Sequence, residues 1–181
     1  MIRRLALCCS LLLLLLAACA TTPPTPAPDL APLFAAYWEE ALILDPLRAT
    51  YIGDNRYNDR LPNDLSAEYR AQEAAFDARW LARVKAIDAA SLSAEDRISL
   101  DILRRQLERS IEAARFPDHL IPINQFYNLA AQLAQLGTGT GAQPFKTVVD
   151  YENWAKRAAQ IPALFDQAIS TMREGVATGI A

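Results

Sequence analysis

The chain is poor in the residues on which metal and nucleophilic chemistry usually draw. Its only histidine is His119, and neither His-Glu-x-x-His nor Cys-x-x-Cys occurs. A zinc centre normally takes three or four imidazole, thiolate or carboxylate ligands. The expectation is therefore no metal ligand, no catalytic residue and no cofactor within this chain, with His119, between Pro117 and Pro122, as a structural or surface residue. Of three cysteines, Cys8 and Cys9 lie in the amino-terminal apolar run, leaving Cys19 alone beyond it. The Gly137-Thr-Gly-Thr-Gly141 stretch lacks the Gly-Lys-Ser/Thr of a phosphate loop and has no strand before it, so it reads as a solvated loop. The acid and amide cluster from Asp54 to Asp64 places Arg56 and Asp59 where a calcium loop needs an oxygen ligand and a glycine. No Lys/Arg cluster stands out, which argues against a nucleic-acid partner. Strand alternation and internal repeats are also missing.

What is present begins with an address. Residues 1–18 read as an export signal, with Arg3 and Arg4 followed by an apolar run from Leu5 to Leu16. That run is short for a membrane span, which needs roughly 20 residues. It ends in Leu16-Ala17-Ala18-Cys19, which matches the lipobox of bacterial lipoproteins. The match implies cleavage before Cys19, a diacylglyceryl thioether on its sulfur and acylation of the new amino terminus. Lipidation also accounts for a lone thiol in an oxidising compartment. Ala20 resembles the residue that follows the cysteine in lipoproteins sorted to the outer membrane. The expected location is the cell envelope, anchored to the outer membrane and facing the periplasm. Residues 19–32 form a proline-rich tether, extended at about 3.1 Å per residue.

Residues 33–181 read as one all-α domain of several antiparallel helices. A first helix, to Leu44, carries Leu33, Phe34, Tyr37, Trp38, Ala41 and Leu42 on one face. Ser66 caps a second, which ends near Ile87 and has Tyr69, Phe76, Trp80 and Val84 in a stripe. Ser93, with Asp96 three residues on, opens a third, whose stripe runs through Ile98 or Leu100, Leu103, Leu107 and Ile111. The short connection makes the second and third helices an antiparallel hairpin. A short helix over 127–136 follows, then one started by Thr147 and Asp150, then one begun or kinked by Pro162. The last has Ile161, Phe165, Ala168, Met172 and Val176 as its apolar face and reaches Gly179-Ile180-Ala181 with no closing element, so the domain reads as interrupted and the face as a surface for self-association.

Between the first two helices lies Asp45–Ser66, which refuses helical periodicity but is too rich in apolar residues for a linker. Pro46 and Pro62 break helix there, and Gly53 permits a left-handed turn. Arg48, Arg56 and Arg60 alternate with Asp45, Asp54 and Asp59 beside Tyr51 and Tyr57. One reading is a salt-bridged loop sealing the ends of the helices. The other is a loop lining a cleft, with Arg48, Tyr57, Asp59 and Arg60 as the lining residues. Glu39 and Glu40, adjacent on a helix, diverge and read as a solvated face.

The ordered set Trp38-Glu39-Glu40, Asp45-Pro46, Tyr57-Asn58-Asp59-Arg60-Leu61-Pro62, Leu92-Ser93-Ala94-Glu95-Asp96, Ile121-Pro122-Ile123-Asn124-Gln125, Gln143-Pro144-Phe145, Asp150-Tyr151-Glu152 and Met172-Arg173-Glu174-Gly175 resembles the amino-terminal third of the bacterial domain-of-unknown-function family 885. The resemblance covers residues 30–179. It implies a largely helical, often exported or lipidated protein that looks like a zinc metallopeptidase. The family's His-Glu pair and following Pro-Gly-His segment lie in its carboxy-terminal part and match nothing here, so no ligand or catalytic base is carried over. Where family members often have a glycine shortly after Asn-Gln-Phe, Tyr127-Asn128 stand here. Two readings follow. The chain is the amino-terminal helical region of a lipid-anchored, peptidase-like hydrolase, with peptide substrate and zinc only in the completed protein, or it is a non-catalytic anchored binding or structural domain.

Overall fold

The computed structural model describes residues 29–124, 126 and 128–180, which are helices and turns with no strand among them. The export signal, Cys19 and most of the tether lie outside the described residues, as do Gln125, Tyr127 and Ala181. Helix α1 (Ala31–Leu44) starts inside the segment read as tether, with Pro32 in its first turn and Asp29 Oδ1 accepting from the Ala31 amide at 2.9 Å. Helix α2 (Pro46–Tyr51) follows after one residue. The expectation of an irregular segment fails here for a simple reason. Proline is excluded from a helix interior but favoured at the first helical position, where its missing N–H has no partner to lose. Asp45 supplies the cap, its Oδ1 accepting from the Arg48 amide at 3.0 Å.

Helices α3 (Ala67–Lys85) and α4 (Ala94–Ala113) form the antiparallel hairpin. Ser66 and Ser93 cap them, through the amides of Tyr69 and Asp96. Helices α5 (Leu129–Leu136), α6 (Val148–Ala158) and α7 (Ile161–Thr178) complete the chain. Asn128 caps α5, and Thr147 with Asp150 forms a full capping box on α6. Gly179, at φ 74°, ends α7 in the left-handed conformation that glycine adopts without a Cβ clash.

The apolar residues gather into two clusters. In the first, α1 lies across the hairpin, joining Ala41 to Phe76, Trp80, Val84, Leu100, Leu103 and Leu107. Trp80 is fully buried, and the Tyr37 ring meets it edge-on with centroids 5.4 Å apart. Of the two residues considered for the α4 stripe, Leu100 turns inward and Ile98 stays exposed. Trp38, read as part of the inner face of α1, is exposed as well. The second cluster joins Leu61 of the connecting segment to Leu133 and Leu136 of α5 and Leu164 of α7, with Trp154 packed against it.

Helix α7 buries Leu164, Ala168, Thr171 and Gly175; of the stripe read in the sequence, Ala168 is buried, Ile161 and Phe165 pack against the second cluster, and Val176 is left exposed. Thr171 can face inward because its hydroxyl donates within its own helix, to the carbonyl of Gln167 or Ala168. Val176 is 67% exposed and, with Ile169 and Met172, borders a shallow apolar groove. No helix among the described residues is long and apolar enough to cross a membrane.

Residues 137–140 of the Gly-Thr stretch are exposed, as a solvated loop requires, but its two end glycines lie close against neighbours. A Cβ on Gly137 would lie 2.6 Å from the Trp154 ring, and one on Gly141 would lie 2.8 Å from the Gln135 carbonyl oxygen. Gly137→Ala is therefore expected to displace the indole and destabilise the second cluster by about 1–3 kcal/mol. Chemical denaturation checks this; unchanged stability would mean that Trp154 is free to move away.

Candidate functional site

The segment between α2 and α3 is held by one side chain from far along the chain. Arg157, on α6, is 0% exposed. Its Nε donates to the Arg60 carbonyl at 2.8 Å, and Nη1 donates to Gln143 Oε1 at 2.6 Å. Nη2 donates to the Tyr57 carbonyl at 2.8 Å and to Thr50 Oγ1 at 2.9 Å. The Thr50 hydroxyl, accepting from Arg157, donates to Asn58 Oδ1 at 2.7 Å, and Asn58 Nδ2 donates to Asn55 Oδ1 at 2.8 Å. Gln160 adds a second fastening, accepting from the Leu61 amide at 3.1 Å and donating to the Asp59 carbonyl at 2.9 Å.

All the acceptors around this guanidinium are neutral. Burial without a carboxylate partner disfavours the charged form, so the Arg157 pKa is pulled down to about 10, still protonated at neutral pH. The dipoles of the two carbonyls, the amide and the hydroxyl meet the charge directly, and the Asp59 carboxylate, not bonded to it, opposes the shift from a distance. A guanidinium suits this task because its planar donors can reach acceptors on several sides, whereas a lysine ammonium is a single point.

The other end of the segment is tied to α1 at the surface. Arg56 bridges Glu39, at 2.7 Å, and Asp54, at 2.6 Å, and its donors hold both carboxyls below their usual range. Glu40 accepts from Arg79 at 2.6 Å and from Trp80 Nε1 at 3.1 Å. The two adjacent glutamates do diverge, but each meets a partner instead of facing only water.

The fixed segment forms one wall of a groove of about 600 Å³. Ile43, Leu44, Pro62 and Phe76 give it an apolar floor, while Arg60, Arg79, Gln72 and Gln160 supply polar groups along its sides. Of the residues read as cleft-lining, Arg60 is in this groove. Its guanidinium also stands over the Tyr57 ring, 5.0 Å from the centroid. Arg48 instead pairs with Asp45 at 3.3 Å and borders a separate crevice of about 100 Å³ beneath Tyr37. Tyr57 and Asp59 serve through their backbone carbonyls, as acceptors for Arg157 and Gln160. Among the described residues, no group of three or more His, Cys, Asp and Glu is placed to hold a metal ion.

Arg157, Gln143 and Gln160 were not apparent as site residues in the sequence. One signal was available. Trp154 and Arg157 stand three apart on α6, so the arginine shares a face with a large apolar ring, which favours burial over exposure.

The conserved profile of a bacterial family of unknown function, DUF885, matches residues 46–181. The chain belongs to this family. The match takes in α2, the Arg157 network and everything after it. No curated protein and no solved structure matches the chain.

The network sets an order among the arginines. Arg157→Lys leaves buried carbonyls unsatisfied and is expected to cost about 2–4 kcal/mol. Arg48→Ala, which removes a partly exposed pair, is expected to cost under about 1 kcal/mol. Urea denaturation of both variants checks this; equal losses would contradict the role given to Arg157.

Proposed function

We propose that this chain is the lipid-anchored helical part of an exported, peptidase-like hydrolase, in which it walls a peptide-binding groove without supplying the catalytic metal. The observation that carries the reading is the groove beside Arg60. It is open, floored with apolar side chains, and edged by amide and guanidinium groups that can bond the carbonyls of an extended peptide. Its segment wall is fixed in advance by Arg157, so little order has to be gained on binding. On this reading zinc and its catalytic base belong to residues outside the chain.

Cys19 anchors the protein to the outer membrane on the periplasmic side, after removal of residues 1–18. The Leu16-Ala17-Ala18-Cys19 run directly after an apolar stretch supports this. Several acyl chains make such attachment stable where one is marginal. The exposed Ile169 and Val176, with the half-buried Met172 between them, support self-association as a further property. The second reading, an anchored binding module with no catalytic partner, uses the same groove and differs only in whether a hydrolytic centre is ever brought to it.

Labelling with a fatty-acid analogue tests the anchor. Cys19→Ser is expected to abolish incorporation, and persistent label would contradict lipidation at that residue. Metal analysis tests the division of labour. Metal-washed protein is expected to hold no stoichiometric zinc and to cleave no peptide, and either activity or bound zinc would overturn it.

A further inference from the structure

On the side of α3 turned away from the groove, α3 and the end of α4 border a second hollow, of about 720 Å³. Alanines of both helices line it, among them Ala74, Ala78 and Ala113, so short side chains leave the space and make its surface apolar. Its charge is one-sided. Asp64, Glu73, Asp77 and Asp118 border it against one guanidinium, Arg70, which donates to the Leu65 carbonyl. His119 stands at the same rim, and partial burial together with Arg70 holds it below its usual pKa, so it adds little positive charge at neutral pH.

Asp77 differs from the other carboxylates. It is 6% exposed, forms no ion pair among the described residues, and has the Ser110 hydroxyl as its one hydrogen-bonding neighbour. It borders both this hollow and the crevice beneath Tyr37, so it sits where the two meet. A carboxylate offers about four acceptor positions, and one hydroxyl fills only one. Burial pushes its pKa up, and the Ser110 hydroxyl offsets that only in part. Glu73, one turn away, is pushed the same way by partial burial and by Asp77. An acid buried with one hydroxyl and no cation beside it is costly to the fold alone. A cation would relieve that cost.

We propose that the hollow between α3 and α4 binds an organic cation, an ammonium or guanidinium on an apolar stem, with Asp77 as its buried acceptor. The stem lies along the alanines and the charged head reaches Asp77, with Glu73 beside it. The carboxyls are not grouped closely enough to ligate a metal ion, whereas the volume suits a chain of several carbons. Lysine or arginine side chains of a peptide and free alkyl amines share this chemistry. The inference does not depend on the peptidase reading.

Calorimetric titration of the full-length protein tests it, with three probes: agmatine, acetyl-lysine methylamide and the neutral acetyl-norleucine methylamide. The lysine derivative or agmatine is expected to saturate a single site, and whichever binds more tightly distinguishes a peptide side chain from a free amine. The norleucine derivative is expected to bind at least tenfold more weakly, and Asp77→Asn to weaken the cation by a similar factor. Should Asp77→Asn fail to fold, Ala74→Leu fills the hollow from an exposed helical position and is expected to abolish binding with helix content unchanged. Equal binding of the neutral probe, unaltered affinity in both variants, or no saturation by either cation would overturn the proposal.

Discussion

A buried guanidinium is the most heavily bonded link between the two halves of this fold. Arg157 lies inside the protein with neutral partners only, and those partners come from Thr50, Tyr57, Arg60 and Gln143. They span α2, the turns after it and the loop before α6, so satisfying one side chain fixes the relative position of all three. A buried charge that loses any of these acceptors keeps its desolvation cost and gains nothing in return. The arrangement is therefore close to all-or-none. It also explains why a segment with little regular structure can hold a defined shape between two separate apolar clusters.

The groove inherits its form from that constraint. One wall is α1 and α3, set by the Tyr37, Phe76 and Trp80 rings in the first cluster. The opposite wall is the segment around Arg60 to Asn63, set by Arg157 and Gln160 from the second half of the chain. The hollow with Asp77 on the other side of α3 is built differently. It comes from small residues along two neighbouring helices, and its acidic character includes a carboxylate that the fold leaves without a cation.

Much of this architecture could be read from the sequence because it rests on local rules. Ser66, Ser93 and Thr147 announce the starts of α3, α4 and α6 by capping chemistry that acts within one turn. The hairpin follows from a short connection between two periodic segments. The errors arise where tertiary context decides between local options. Pro46 breaks a helix in one position and begins one in another, and only the placement of Asp45 as a cap distinguishes them. The inner side of α7 keeps Ile161, Phe165 and Ala168 of the stripe read in the sequence and adds Thr171 and Gly175, which a count of apolar residues passes over. Arg157 was hidden for the same reason: three of its four partners are some 100 residues away in sequence, and two of those are backbone carbonyls that no residue type reveals.

Native-state hydrogen exchange tests the central role of Arg157 most directly. The Asp54 amide donates to the Ala49 carbonyl and the Arg60 amide to the Tyr57 carbonyl, both within the segment that Arg157 holds. If the guanidinium fastens that segment to α6, these amides and those of α6 open together, with one free energy and one denaturant dependence. Free exchange of the Asp54 and Arg60 amides while α6 stays protected would show that the segment moves independently and that Arg157 does not organise the fold.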